Sequence, residues 1–193
     1  MNHIVSVSIR RGLAVAAFAV AAVLGSVGAA DAAASPAPYC GTTWGSLPRS
    51  HDALGTAPLT DVRTARHDCF DRVVFDFRGA ATGYRVGYAP QVLGEGKGDV
   101  LPVAGGARLW VSLQEPAYAI DTGVPTYTPG TGSHVADVAG YRTLRDVVYG
   151  GTFEGYTTFG VGVRARLPFR VFALAGPDGD SRIVVDVAHK WSQ

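Results

Sequence analysis

The stretch Asp71-Arg72-Val73-Val74-Phe75-Asp76-Phe77-Arg78 decides the fold. Val73, Phe75 and Phe77 fall on one side of an extended chain, while Arg72, Asp76 and Arg78 share the other with Val74. Successive side chains of a strand point to opposite faces, so this segment reads as a strand with one face in a core and one in water. The same period of two recurs at Tyr84/Val86/Tyr88, Leu109/Val111/Leu113, Phe159/Val161/Val163, Phe169/Val171/Ala173 and Ile183/Val185/Val187, with weaker runs at Asp61 to Arg66 and Leu144 to Tyr149. Between them lie Gly79 to Gly83, Gly94 to Gly98, Gly105-Gly106, Gly150-Gly151 and the hairpin-like Gly176-Pro177-Asp178-Gly179-Asp180, all turn signals. About eight short strands so punctuated predict an all-β antiparallel sandwich or barrel. No eleven-residue window carries a helical stripe, and three Glu and two Lys in 193 residues leave few charged helix formers.

Two strands echo each other. Arg72-Val73-Val74-Phe75-Asp76-Phe77 and Arg182-Ile183-Val184-Val185-Asp186-Val187 share the order Arg, apolar, Val, apolar, Asp, apolar. As antiparallel neighbours in matching register they place Arg72 opposite Asp186 and Asp76 opposite Arg182. The alternative is that each charge solvates an outer face, and exposed pairs contribute only about 0 to 1 kcal/mol each.

Working outward to the N-terminus, Arg10-Arg11 precede Gly12 to Ala30, a charge-free apolar run rich in Ala and Gly, followed by Ala29-Ala30-Asp31-Ala32-Ala33-Ala34. The run is long enough for a membrane span, but small residues with A-x-A sites after Ala32 and Ala34 read as a cleaved signal peptide over residues 1–34. Cleavage leaves no stable membrane span and a secreted or envelope-associated protein. The arginine pair fits both an ordinary export signal and a twin-arginine one. Removing Arg10, Arg11 and Asp31 from 17 basic and 16 acidic groups leaves 15 of each, so no net field draws nucleic acid or an anionic membrane. Residues 35–58, rich in Pro, Gly, Ser and Thr, read as an irregular N-terminal arm, and residues 59–193 as the domain. In an oxidising compartment, Cys40 and Cys69, the two cysteines of the chain, are expected to form a disulfide tying the arm to the core. Such a loop of about 30 residues stabilises by roughly 3 to 4 kcal/mol in the chain-entropy model.

Chemistry-bearing motifs are sparse. No Cys or His spacing suits zinc, the glycines match no phosphate or dinucleotide fingerprint, and no metal or cofactor is expected. Gly130-Thr131-Gly132-Ser133-His134 lacks the spacing of a serine nucleophile elbow. His51-Asp52 and His67-Asp68 set imidazole beside carboxylate but on opposite faces of an extended chain, and Asp186 with His189 has a base-and-orienter spacing. Glu154 stands alone in a glycine-rich apolar stretch and reads as a turn residue; with His189 it is the pair a hydrolase would use. The long connection Glu115 to Arg142 carries Tyr118, Tyr127 and Tyr141, flat faces with polar tips suited to recognition. Arg164 and Arg166, expected on one face of a strand, suit a carboxylate or phosphate; the alternative is an edge kept soluble by charge and Pro168. Tyr118, Tyr127, Arg164 and Arg166 are therefore the candidate ligand contacts.

The strand Arg72 to Phe77, the pair Phe169-Arg170-Val171-Phe172-Ala173-Leu174 and Arg182 to Val187 around a Gly-Pro turn resemble the AMIN domain and its actinobacterial AMIN-like relatives. His67-Asp68-Cys69-Phe70-Asp71-Arg72, Gly83-Tyr84-Arg85-Val86 and Phe153 to Gly162 resemble the AMIN-like group of secreted and lipid-anchored proteins in particular. The resemblance covers about Leu59 to Trp191. It implies an AMIN-like β-sandwich and a non-catalytic targeting or binding module of the bacterial envelope, with peptidoglycan, another envelope polymer or an envelope protein as partner. AMIN domains typically accompany amidases or secretins, and no such catalytic domain is present in these 193 residues. The other readings are a hydrolase of envelope glycan or peptide and a secreted inhibitor or partner protein.

Overall fold

A computed structural model describes residues 38–191; residues 1–34, read above as an export signal, lie outside the described residues. Two antiparallel sheets form a sandwich. One has the order β1-β4-β5-β7-β6, built from β1 (Arg49–His51), β4 (Tyr84–Ala89), β5 (Ala107–Leu113), β7 (Tyr156–Val163) and β6 (Leu144–Phe153). The other has the order β2-β3-β9-β8, built from β2 (Leu59–Arg66), β3 (Phe70–Phe77), β9 (Ser181–Ala188) and β8 (Phe169–Ala175). The alternation read from sequence is the core: Val73, Phe75 and Phe77 face Leu109, Val111, Leu113, Phe159 and Val161, all buried. The Phe75 and Phe159 rings meet at 4.8 Å. Where eight strands were expected, nine form. The extra one, β1, lies inside the arm, and its residues Arg49, Ser50 and His51 are all exposed, so no apolar alternation announces it.

The open sides of the sandwich are covered by chain rather than left as bare edges, which guards against edge-to-edge pairing. The arm bridges Gly45 to Phe169 at the edge of β8, then pairs as β1 with β4 of the opposite sheet. Cys40 and Cys69 are joined by a disulfide, with Cα atoms 6.3 Å apart, fixing the start of the arm. The long connection between β5 and β6 is ordered: Gly132 and Val135 amides donate to the Tyr149 and Val147 carbonyls along the β6 edge, and the Tyr141 hydroxyl bonds the Thr64 hydroxyl of β2 at 2.9 Å. On the outer face of the five-stranded sheet, Val92, Leu101 and Val103 pack on Val148 in a second small core. Gly160 and Gly162 of β7 permit that approach, because a Cβ at either would collide with the Val103 side chain or the Ala104 carbonyl.

The echo between β3 and β9 sets their register: Arg72 lies opposite Asp186 and Asp76 opposite Arg182. Arg72 Nε and Nη2 donate to the two Asp186 oxygens at 2.6 and 2.9 Å, and Arg170 Nε of β8 donates to the same carboxylate at 2.8 Å. The second expected pair does not form. Asp76 turns to Arg63 of β2, which grips both its oxygens at 2.7 Å.

Candidate functional site

One end of the sandwich is polar inside. The inward alternation of β3 runs back from Phe77 through Val73 to Asp71, which places a carboxylate on the core side of the sheet where the apolar filling stops. Asp71 is 1% exposed. Its Oδ2 accepts the amides of Thr143 (2.5 Å) and Leu144 (3.1 Å) at the start of β6, joining the two sheets. Its Oδ1 faces His189 Nε2 at 3.1 Å, just beyond the end of β9. His189 Nδ1 lies 3.1 Å from the Asp68 carbonyl; a carbonyl can only accept, so Nδ1–H donates there. With Nδ1–H so committed, Nε2 is the ring atom turned to Asp71, and the two side chains hold each other in place. The His189 amide donates to the Cys69 carbonyl, so the disulfide-tied loop and the end of β9 hold each other.

Above this pair, Arg66, His67, Asp68, Gly140 and Arg142 wall a cavity of about 280 Å³ with Asp71 and His189 as its floor. Arg66 is the register partner of Asp71 in β2 and stacks over the Tyr141 ring at 5.4 Å. His67 stacks on Phe70 at 4.4 Å. Arg142 arrives from the long connection and reaches the Asp68 carbonyl at 3.5 Å. Outside the cavity lining, Arg145 and Arg164 donate to backbone carbonyls, Arg164 to that of His189 at 2.5 Å.

The residues singled out by sequence are spread over the molecule. Arg164 and Arg166 lie in a bend after β7 rather than on a strand, because the chain must leave the sheet to cross to β8. Arg164 buttresses His189, and Arg166 covers the Tyr88 ring at 5.0 Å. Tyr118 pairs with Pro125 in the long connection beyond the other end of β5, about 20 Å along the sheet from Arg164. Tyr127, half-buried against the core, packs edge-on on Tyr149 at 5.4 Å, and burial pushes its hydroxyl up to about 12. These four do not converge.

The proposed acid and base of a hydrolase also stand apart. Glu154 occupies the β6–β7 turn with φ 49°, followed by Gly155 at φ 84°, the paired positive angles of a two-residue hairpin turn. His189 sits by Thr143 at the opposite end of β6, roughly 30 Å away. Nor does His189 meet Asp186, whose oxygens belong to Arg72 and Arg170 on the outer face.

At the other end, Glu115 is 1% exposed and accepts the amide of Ala57, with the Thr82 backbone also donating. Burial raises its carboxyl to about 7. Neighbouring Gln114 receives the Ala53 amide and holds Asp52, so the two residues clip the arm to the sheet.

Among the described residues no helix is long and apolar enough to cross a membrane. No curated protein and no solved structure matches the chain. The model of the AMIN-like domain matches residues 57–189, from the Glu115-bound Ala57 through every strand of the four-stranded sheet to His189. Eight of the nine strands, the buried Asp71 and Glu115 and the polar cavity lie within that match, and the chain belongs to the AMIN-like domain family.

Proposed function

We propose that this protein is an exported, non-catalytic binding module of the bacterial envelope, freed by cleavage after Ala32 or Ala34, whose ligand is peptidoglycan or another envelope component. AMIN-like domains are generally non-catalytic, envelope-associated binding modules, which supports the class. The observation that carries the reading is the cavity over Asp71 and His189: guanidinium groups from β2 and from the β5–β6 connection meet above a buried, fully hydrogen-bonded floor. A site on a scaffold this braced binds without first paying to order itself.

Sedimentation with purified peptidoglycan and with whole-envelope preparations tests the reading. Co-sedimentation with either, saturable and reversed by excess soluble fragments, is the expected result. Protein left wholly in the supernatant in both ends it.

A further inference from the structure

We propose that the cavity walled by Arg66, His67 and Arg142 receives one free carboxylate of the envelope ligand, of the kind that peptidoglycan stem peptides carry. This rests on the envelope-binding reading and names the group that its site takes.

Arg66 and Arg142 are the first argument. Arg63, Arg72, Arg85 and Arg170 each hold a carboxylate of this chain within 3 Å. Among the described residues neither Arg66 nor Arg142 has a carboxylate within 4.0 Å, although both line the same cavity. The Tyr141 ring supports the flat side of the Arg66 guanidinium, leaving its N–H edge available for two parallel bonds to a carboxylate.

Charge decides between a carboxylate and a phosphate. At the wall of the cavity, above the Asp71–His189 floor, Arg66 and Arg142 contribute two positive charges and Asp68 one negative. A net charge of one matches a carboxylate, whereas a phosphate monoester carries about −1.5 to −2 at neutral pH. The His67 ring supplies a further nitrogen at the wall, and the buried floor beneath weakens screening by water.

The test is an NMR titration of the purified protein with N-acetyl-D-alanyl-D-alanine, with its C-terminal amide, and with inorganic phosphate, beside peptidoglycan sedimentation of the same samples. The acid is expected to move the His67 and His189 ring signals and the Arg142 amide, while the amide moves none and phosphate binds more weakly. Arg66→Ala and Arg142→Ala, both at exposed positions and checked for unchanged circular dichroism, should each weaken the acid roughly tenfold or more. Arg66→Lys should recover little, since an ammonium does not reproduce the fork. Equal binding of acid and amide, or phosphate binding tighter than the acid, overturns the carboxylate assignment. Wild type and both alanine variants sedimenting alike overturns the site while leaving envelope binding intact; the acid binding as described with no sedimentation overturns the envelope reading instead.

Discussion

Asp71 and Glu115 are both 1% exposed, lie at opposite ends of the sandwich, and are held in different ways. Each ties backbone from separate segments, Thr143 and Leu144 for Asp71, Ala57 and the Thr82 backbone for Glu115. Asp71 has an imidazole as well, and Glu115 has amides alone. An ion taken out of water costs several kcal/mol unless a counter-charge and hydrogen bonds replace the solvent. Glu115 lacks the counter-charge, so its carboxyl stays protonated up to about 7. The end with the imidazole-paired acid also carries the arginine-walled cavity and the disulfide, whereas the hollow beside Thr82 at the other end is lined mostly by alanine and glycine. Burial of a carboxylate therefore marks a joint in this fold, and what surrounds it marks whether the joint can also carry a site.

The largest effect should come from breaking the compensated joint. Asp71→Ala strands His189 and two buried amides, and should destabilise by about 3 to 5 kcal/mol in urea unfolding. A loss below about 1 kcal/mol would mean that water or a shifted backbone replaces the carboxylate, and would dissolve the contrast between the two ends. Cys40→Ser with Cys69→Ser releases the neighbouring loop, 29 positions apart in sequence, at a cost of about 3 kcal/mol.

Glu115 gives the contrast a pH signature. Its folded pKa lies above its ordinary value of 4.5, so the folded state keeps the proton longer than the unfolded chain does. Its stabilising contribution is then fully present below about pH 4.5, declines as pH rises toward 7, and is gone above. The decline amounts to about 3 kcal/mol. Denaturation of wild type and Glu115→Gln at pH 4.5 to 8 should show their stability difference shrinking by about that amount in one direction only. A difference that grows with pH would reverse the assignment and make Glu115 a stabilised anion.

How much of this was legible in the sequence depends on whether the partner lay within the reach of a pattern. The period of two delivered the core, and the repeated Arg-to-Asp spacing delivered the β3–β9 register, because both are properties of single strands. Asp71 could have been found by the same parity, two residues before Val73 on the buried face. An acid at a strand end reads as solvated unless its partners are known, and Thr143 and His189 lie 72 and 118 positions away. Proximity in sequence suggests Asp186 as the partner of His189, yet Asp186 belongs to the outer face and His189 lies beyond the strand, so alternation does not relate them. β1 has no apolar member, and the order of the long connection comes from backbone bonds to the β6 edge, which carry no side-chain signature. Gly160 and Gly162 interrupt the outward face of the Phe159/Val161/Val163 strand, and only the packed structure shows that they seat Val103 and Ala104.

The smallest expected effect concerns a carboxylate that is neither buried nor a joint. Asp76 received Arg63 rather than the Arg182 that faces it in register, and the Arg63 side chain is 52% exposed against 23% for Asp76. Asp186, gripped from both flanking strands, is 0% exposed. Geometry alone makes the pairs look alike, since Arg63 and Arg72 both grip their acids with two bonds. Water separates them: it screens the exposed pair and replaces whichever partner is removed, but has no access to Asp186. Arg63→Ala should therefore cost under 1 kcal/mol and lose even that in high salt, while Arg72→Ala should cost more and respond little to salt. Equal costs for the two would show that strand pairing rather than burial sets the worth of a carboxylate here, and the contrast between Asp71 and Glu115 would need the same reinterpretation.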